Sequence, residues 1–105
     1  MIVVSTNEVP GRRIARTIGL VRGNTVRSSH LGRDIGAWFK GVVGGEIEEY
    51  TKLLAESREQ ALDRMVADAR EKGADAVVGL RFTTCEITAN AAEFMAYGTA
   101  VVLEP

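Results

Sequence analysis

The longest regular pattern of apolar positions runs from Glu46 to Lys72. Apolar residues recur there every three or four positions, which is the period of an amphipathic helix with one buried stripe. The stripe consists of Ile47, Tyr50, Leu54, Ala61, Met65 and Ala69, and it is widened by Leu53, Leu62 and Val66. Lys72 and Gly73 then supply a positive charge and a left-handed cap, which are typical of a helix carboxyl end. The pattern therefore predicts one long helix that ends at Gly73.

This helix is long for a chain of 105 residues. At 1.5 Å per residue it measures about 40 Å, whereas a compact domain of this size has a diameter of roughly 30 Å. We therefore expect the helix either to be kinked or to be partly buried by another subunit.

Alternating apolar positions predict strands on both sides of the helix. The predicted strands span Ile2–Ser5, Ile14–Val26, Ala74–Ile87 and Glu93–Leu103. Val9–Gly11 is expected to form a turn, and the second strand to bend at Gly19 or Gly23, where glycine permits a bulge. Asn90 is the residue best suited to turn the chain between the last two strands. Because polar Arg16, Arg22 and Asn24 share a face of the second strand with its apolar residues, that face cannot be wholly buried in a single chain.

The two last strands have faces of different character. Alternation places Ala76, Val78, Leu80 and Phe82 on one face of the first, and Met95, Tyr97, Thr99, Val101 and Leu103 on one face of the second. The other face of the last strand carries Ala96, Gly98, Ala100 and Val102. Such a surface of small apolar residues suits close packing against another chain or sheet. The order of elements predicts a two-layer α+β fold, an antiparallel sheet packed by one long helix.

The segment Leu31–Val43 has helical spacing but weak helical propensity. Its three glycines each cost about 1 kcal/mol relative to alanine, so we expect one or two irregular helical turns. Trp38 and Phe39 lie in this segment, and contacts with the rest of the protein or with another subunit are needed to hold them.

Composition indicates one globular domain over residues 1–105, because 46% of the residues are hydrophobic and 26% are charged. No membrane-spanning run and no secretory leader are present, and a single cysteine favours a cytoplasmic location. A net charge of -1 argues against nucleic acid or anionic lipid as partners. The arginine-rich residues 12–33 and the acidic residues 46–75 are interpreted as two solvated surfaces, although a contact between them is the alternative.

No catalytic or cofactor-binding residue stands out. His30 and Cys85 are the single histidine and cysteine, and spacing alone does not place them together. Gly41–Gly45 precedes the helix as a phosphate loop would. It lacks the Gly-Lys-Ser/Thr ending, and the carboxylates of the first helical turn would repel a phosphate, so we interpret it as a break between elements.

Three short stretches together identify a family. Gly44–Glu46 precedes the helix, Gly73–Gly79 reads Gly-Ala-Asp-Ala-Val-Val-Gly, and Ala96–Val101 reads Ala-Tyr-Gly-Thr-Ala-Val. From about Pro10 to Val102 the chain resembles the YbjQ-like proteins, which carry the label of heavy-metal binding. The resemblance implies a dodecin-like subunit in a ring-shaped homo-oligomer, typically a pentamer.

The family label directs attention to Cys85 and Glu86 as candidate metal ligands. Heavy-metal sites usually combine several thiolates or imidazoles at paired spacing, and the chain has neither pattern. A free cysteine is more often a small buried apolar residue, which is the interpretation we prefer for Cys85. The alternative is that a ring brings one Cys85 from each subunit together near its axis.

Three functional hypotheses remain. The first is a non-enzymatic homo-oligomer that binds or scaffolds other molecules, with no cofactor and with itself as the partner. The second is a heavy-metal or metalloid binding protein that uses Cys85 and Glu86. The third, an enzyme using the acidic helix or the arginine-rich segment, ranks last because spacing fixes no pair of titratable groups near one another.

Overall fold

The structure is a computed structural model that describes residues 1–28, 46–88 and 91–105, with side chains for all of these except Ser28 and residues 46–50. Its elements are β1 (Ile2–Val3), β2 (Ile14–Ser28), α1 (Glu46–Glu71), β3 (Ala76–Thr88) and β4 (Ala91–Leu103). The four strands form one sheet in the order β1-β3-β4-β2, and α1 packs on one of its faces. The predicted two-layer α+β fold is thus confirmed.

The sheet is mixed rather than wholly antiparallel. β4 runs antiparallel to both β2 and β3, as expected, but β1 pairs in parallel with β3 at Ala76 and Val77. The amino-terminal segment continues along this edge, where Val4 N–H donates to the carbonyl of Val77 at 2.9 Å. Val4 and Val9 then cover a second apolar cluster on the face of the sheet opposite α1. Burial of this cluster explains why the chain start lies beside β3 instead of β2.

The helix ends as the sequence predicts. Gly73 has a φ of 82°, its N–H donates to the Arg70 carbonyl at 3.0 Å, and Ala74 N–H donates to the Ala69 carbonyl at 3.0 Å. This pair of bonds defines a Schellman motif, which satisfies the last carbonyls of the helix. The predicted left-handed cap at Gly73 is confirmed.

The main core lies between α1 and the centre of the sheet. Its fully buried members are Val21, Ala61, Met65, Ala69, Val77, Ala96 and Ala100. The small-residue face of β4 is therefore covered by the chain's own helix, and the prediction that it packs against another chain is wrong. Gly23 in β2 allows the closest approach, because a Cβ there would overlap the backbone of Ala61 and Met65.

The length of α1 is explained by the shape of the molecule. The principal extents are 50, 23 and 15 Å, and at about 3.3 Å per residue the 15-residue strand β2 accounts for the longest of them. The 26-residue helix lies along this long sheet. The premise of a domain about 30 Å across is wrong, so the helix length by itself requires neither a kink nor a second subunit.

Two glycines mark bulges that change which side chains share a face. The register of β2 shifts between Thr17 and Gly19, and Gly19 has a φ of 137°, which confirms one of the two predicted bulge positions. A second shift lies between Val78 and Arg81, around Gly79 with a φ of 65°. This shift moves Phe82 to the face opposite Val78. The prediction of a single face from Ala76 to Phe82 is therefore wrong.

The face of the sheet away from α1 is open along β2. Leu20 is 60% exposed and Val26 57% exposed, and Arg22 and Asn24 lie between them on the same face. The prediction that this face is not wholly buried in one chain is confirmed. Several other predictions lie outside the described residues. They concern the helical turns of Leu31–Val43 with Trp38 and Phe39, the loop at His30, the break at Gly44–Gly45 and the turn at Asn90.

Candidate functional site

The far half of β3 is uncovered. Its first three residues are buried, whereas the eight residues from Arg81 to Thr88 are all exposed. β1 pairs only with Ala76 and Val77. Among the residues that the structure describes, no strand lies beside the outer edge of β3 beyond that point. Within the described part of the chain, Arg81 to Ile87 thus form an uncovered sheet edge.

The hydrogen-bonding groups on this edge can be assigned from the end that is paired. Leu80 N–H donates to the Val4 carbonyl at 3.0 Å, so the backbone groups of Leu80 point away from β4. Backbone directions alternate along a strand. The N–H and C=O groups of Phe82, Thr84 and Glu86 therefore also point outward, and this set is named the β3 edge.

The helix does not reach over the β3 edge. α1 lies mainly on β2 and β4, and Phe82 remains 44% exposed although its side chain is on the helix side of the sheet. Between the helix and this strand is a cleft of about 310 Å³, lined by Leu54, Arg58, Thr84 and Phe94. The cleft is apolar apart from one guanidinium and one hydroxyl group.

The opposite edge of the sheet is partly capped by α1. The N–H of Arg22 donates to Oδ2 of Asp68 at 3.4 Å, and Nη1 of Arg64 donates to the carbonyl of Asn24 at 2.5 Å. These side chains satisfy outward-pointing backbone groups in the middle of β2, which is one way proteins protect an edge strand. Among the described residues, these capping contacts reach as far as Asn24, and none is made to the end of the strand, Val26–Ser28.

A polar side chain near that end lacks a full set of partners. Arg27 donates from Nη2 to Oε1 of Gln60 at 3.2 Å, whereas its Nε is buried and has no hydrogen-bond partner among the described residues. Across the sheet, Arg27 pairs with Ala92, and Ala92 pairs with Glu86. Arg27 and Glu86 therefore lie on the same row and the same face, at the two edges of the sheet.

The two predicted metal ligands point to opposite faces. Cys85 lies opposite Glu93 on β4, on the face away from α1, whereas Glu86 lies opposite Ala92 on the helix side. Neighbouring strand residues cannot turn their side chains toward one ion without distorting the strand. Cys85 is exposed, so the prediction that it is a buried structural residue is wrong.

Glu93 is the carboxylate that the sequence did not single out. Its Oε2 accepts a hydrogen bond from Nδ2 of Asn24 at 2.9 Å, and it faces Cys85 across the strand pair. Together they offer one thiol and one carboxylate, and no group of three or more metal-ligating side chains occurs in the described parts of the chain. The described residues of one chain thus supply fewer than the four ligands that a structural heavy-metal site commonly needs.

The fold and edges define a class of protein: a small two-layer α+β domain whose sheet has an uncovered edge strand. Comparison with known proteins then gives the family. The family described as "Putative heavy-metal-binding", YbjQ_1, matches residues 1–104, and the chain belongs to it. In the described residues, no helix combines the length and apolar character needed to cross a membrane.

Similar proteins cover nearly the whole chain. A UPF0145 protein of Dehalococcoides mccartyi strain BAV1 is 54% identical over 104 residues, which is 99% of this chain and 100% of the relative. A UPF0145 protein of Photobacterium profundum is 55% identical over 103 residues, 98% of this chain and 100% of the relative. The crystal structure of a DUF74-family protein of unknown function from Pediococcus pentosaceus matches with a TM-score of 0.65 at 14% identity, covering 99% and 98% of the two chains. This last likeness supports the fold.

Proposed function

We propose that the protein is a non-enzymatic homo-oligomer that binds or scaffolds other molecules, and that it forms a closed ring, a pentamer by resemblance to its family. The observation that carries this proposal is the run of exposed residues Arg81–Ile87, on a strand whose outer edge is covered there by no strand that the structure describes.

The composition of this run makes it a poor surface to leave in water. Phe82–Ile87 reads Phe-Thr-Thr-Cys-Glu-Ile, which is rich in residues that favour strands and contains neither proline nor lysine. Arg81 and Glu86 contribute charges that cancel. Soluble proteins usually cover such an edge or protect it with charges, prolines or bulges. Pairing with another strand would satisfy its outward backbone groups.

A binding role rather than catalysis is favoured because, among the described residues, the cleft lining offers Arg58 and Thr84 as its polar groups and no general base beside the hydroxyl.

The test is the mass in solution. Light scattering at micromolar concentration should give a multiple of the 11.3 kDa chain mass, and fivefold if the ring is a pentamer. Phe82→Asp should lower that mass, because it places a charge on the uncovered face. Phe82→Leu is the matched control and should assemble like the parent. A monomeric parent protein would rule out the proposal.

Metal binding is the second candidate function, favoured by the exposure of Cys85 opposite Glu93 and by the family's description. Because the described residues of one chain supply too few ligands, we expect the site to use Cys85 from several subunits, with Glu86 or Glu93 as further ligands. Titration with zinc, cadmium and copper(I) tests this. Cys85→Ser should abolish binding if the function is real, and comparison of Glu86→Gln with Glu93→Gln would identify the carboxylate.

A further inference from the structure

The two edge segments that no described residue covers lie at the same end of the sheet. The β3 edge borders Ala92–Ala96 of β4 on one side, and Val26–Ser28 of β2 borders Ala91–Glu93 on the other. We infer that neighbouring copies join head to tail, with the β3 edge of one copy paired to Val26–Ser28 of the next. This inference rests on the proposed homo-oligomer and names the surfaces that form it.

Backbone alternation permits this pairing in one direction only. On β3 the outward backbone groups belong to residues whose side chains face the helix side. On β2 the outward groups belong to residues on the open face, because Arg22 N–H and Asn24 C=O point outward to Asp68 and Arg64. In a parallel pair, a residue bonds to the two neighbours of the residue opposite it. Glu86 can therefore lie opposite Arg27 and bond to the C=O of Val26 and the N–H of Ser28, with both side chains on the helix side.

Antiparallel pairing of the two edges would join the helix side of one copy's sheet to the open face of the next copy's sheet. Directly opposite residues then exchange both hydrogen bonds, which would put the helix-side residues of β3 opposite open-face residues of β2. Parallel pairing is also what a simple rotation produces. β2 and β3 of one chain both run antiparallel to β4 and hence parallel to each other, so copies related by rotation about an axis along the strands bring them together in parallel. Repeated head-to-tail contacts of this kind close into a ring.

Charge complementarity identifies the occupant as a second copy. The exposed carboxylate of Glu86 would lie beside the guanidinium of Arg27 in the next copy, on the helix side of the joined sheet. A charge-assisted bond between the two side chains would favour this pairing. Pairing of two β3 edges would form no such bond. Pairing of two β2 strands would bring together strands that carry Arg16, Arg22 and Arg27 and no carboxylate, which is unfavourable.

Two proline substitutions test the direction of assembly. Glu86→Pro removes from β3 the outward N–H that would donate to the Val26 carbonyl, and Val26→Pro removes an outward N–H from β2. Neither N–H points toward β4, so the sheet itself should survive. Each variant alone should lose assembly, with a dissociation constant raised about tenfold or more. A 1:1 mixture of the two retains one intact pair of edges and should give a species of twice the 11.3 kDa chain mass, and no larger one.

Charge exchange provides the second arm of the experiment. Glu86→Arg and Arg27→Glu should each weaken assembly, and the double variant should restore it, whereas Glu71→Arg, an equal change of charge on the exposed end of the helix, should have no effect. If the parent assembles but either proline variant assembles equally well, or the mixture stays monomeric, the head-to-tail inference is wrong. A monomeric parent would instead refute the proposed homo-oligomer itself.

Discussion

Gly23→Ala tests the packing of α1 on the sheet most directly. The Cβ of an alanine there would overlap the carbonyl oxygen of Ala61 and the amide nitrogen of Met65, and would lie 2.8 Å from the carbonyl carbon of Arg64. All three are backbone atoms of the helix, so no side-chain rotation relieves the clash. The helix would have to retreat by roughly 1 Å to restore ordinary contact distances of about 3.5 Å.

The cost follows from the core that this movement opens. Overpacking alone costs about 1–3 kcal/mol, and withdrawal of α1 also loosens contacts of Met65 and Ala69, which are fully buried. We expect a loss of about 3 kcal/mol, which is a large share of the usual 5–15 kcal/mol stability of a domain. The direction of the stability change is informative. In an ordinary strand, replacing glycine by alanine would raise the free energy of unfolding by about 0.5–1 kcal/mol, whereas a loss is expected here.

Urea unfolding followed by circular dichroism measures the effect. If the free energy of unfolding falls by about 1.5 kcal/mol per M of urea, the urea concentration at the midpoint of unfolding should fall by about 2 M. All variants must be compared at one protein concentration, since assembly raises apparent stability. Gly19→Ala is the comparison variant in the same strand. A Cβ there meets nothing within 4 Å, so its expected loss of about 1–3 kcal/mol comes from the positive φ, and its effect does not depend on contact with the helix. A Gly23→Ala variant as stable as the parent would show that α1 does not lie on β2 at this point.

Three further predictions concern other parts of the chain. Gly73→Val should destabilise the protein by more than about 1 kcal/mol, because a branched side chain clashes at the positive φ of the helix cap, and an unchanged thermal midpoint would contradict this. Asp75→Ala should cost about 1–2 kcal/mol, because its Oδ2 accepts the N–H of Leu103 at 2.9 Å; Asp75→Asn, which keeps an acceptor, should retain most of that stability in the same melt. Purified protein should carry no stoichiometric metal, and Cys85→Ser should keep fold and assembly; elemental analysis showing about one metal per subunit, lost in the variant, would favour the metal-binding function.

Much of the fold could be predicted from local patterns. The stripe of α1, the cap at Gly73, the turn at Val9–Gly11 and the bulge at Gly19 all depend on residues within a few positions of one another. The turn is seen in the bond from Arg12 N–H to the Val9 carbonyl at 3.1 Å and in the φ of 81° at Gly11. Such features follow from helical period and from the conformational freedom of glycine.

The candidate site could not be predicted in the same way, because it depends on register. A hairpin continued from the Thr88–Ala91 pair without irregularity would place Cys85 opposite Phe94. A register shift between Glu86 and Thr88 places it opposite Glu93 instead. The bulge at Gly79 likewise decides which side of β3 Phe82 occupies, since a shift of one residue exchanges the two faces of a strand. Nothing in the local sequence fixes these shifts.

The sequence by itself determined the elements, their ends and the apolar face of the helix, because those properties arise from neighbours in the chain. Only the tertiary structure decided which surfaces remain uncovered. The helix lies over β2 and β4, so it buries the small residues of β4 that the sequence predicts to pack against another chain. Among the described residues, it leaves the β3 edge uncovered. Long-range packing determines this arrangement. Gly23 lets the helix backbone approach β2, and Val9 packs in the apolar cluster that holds the amino-terminal segment beside the paired end of β3.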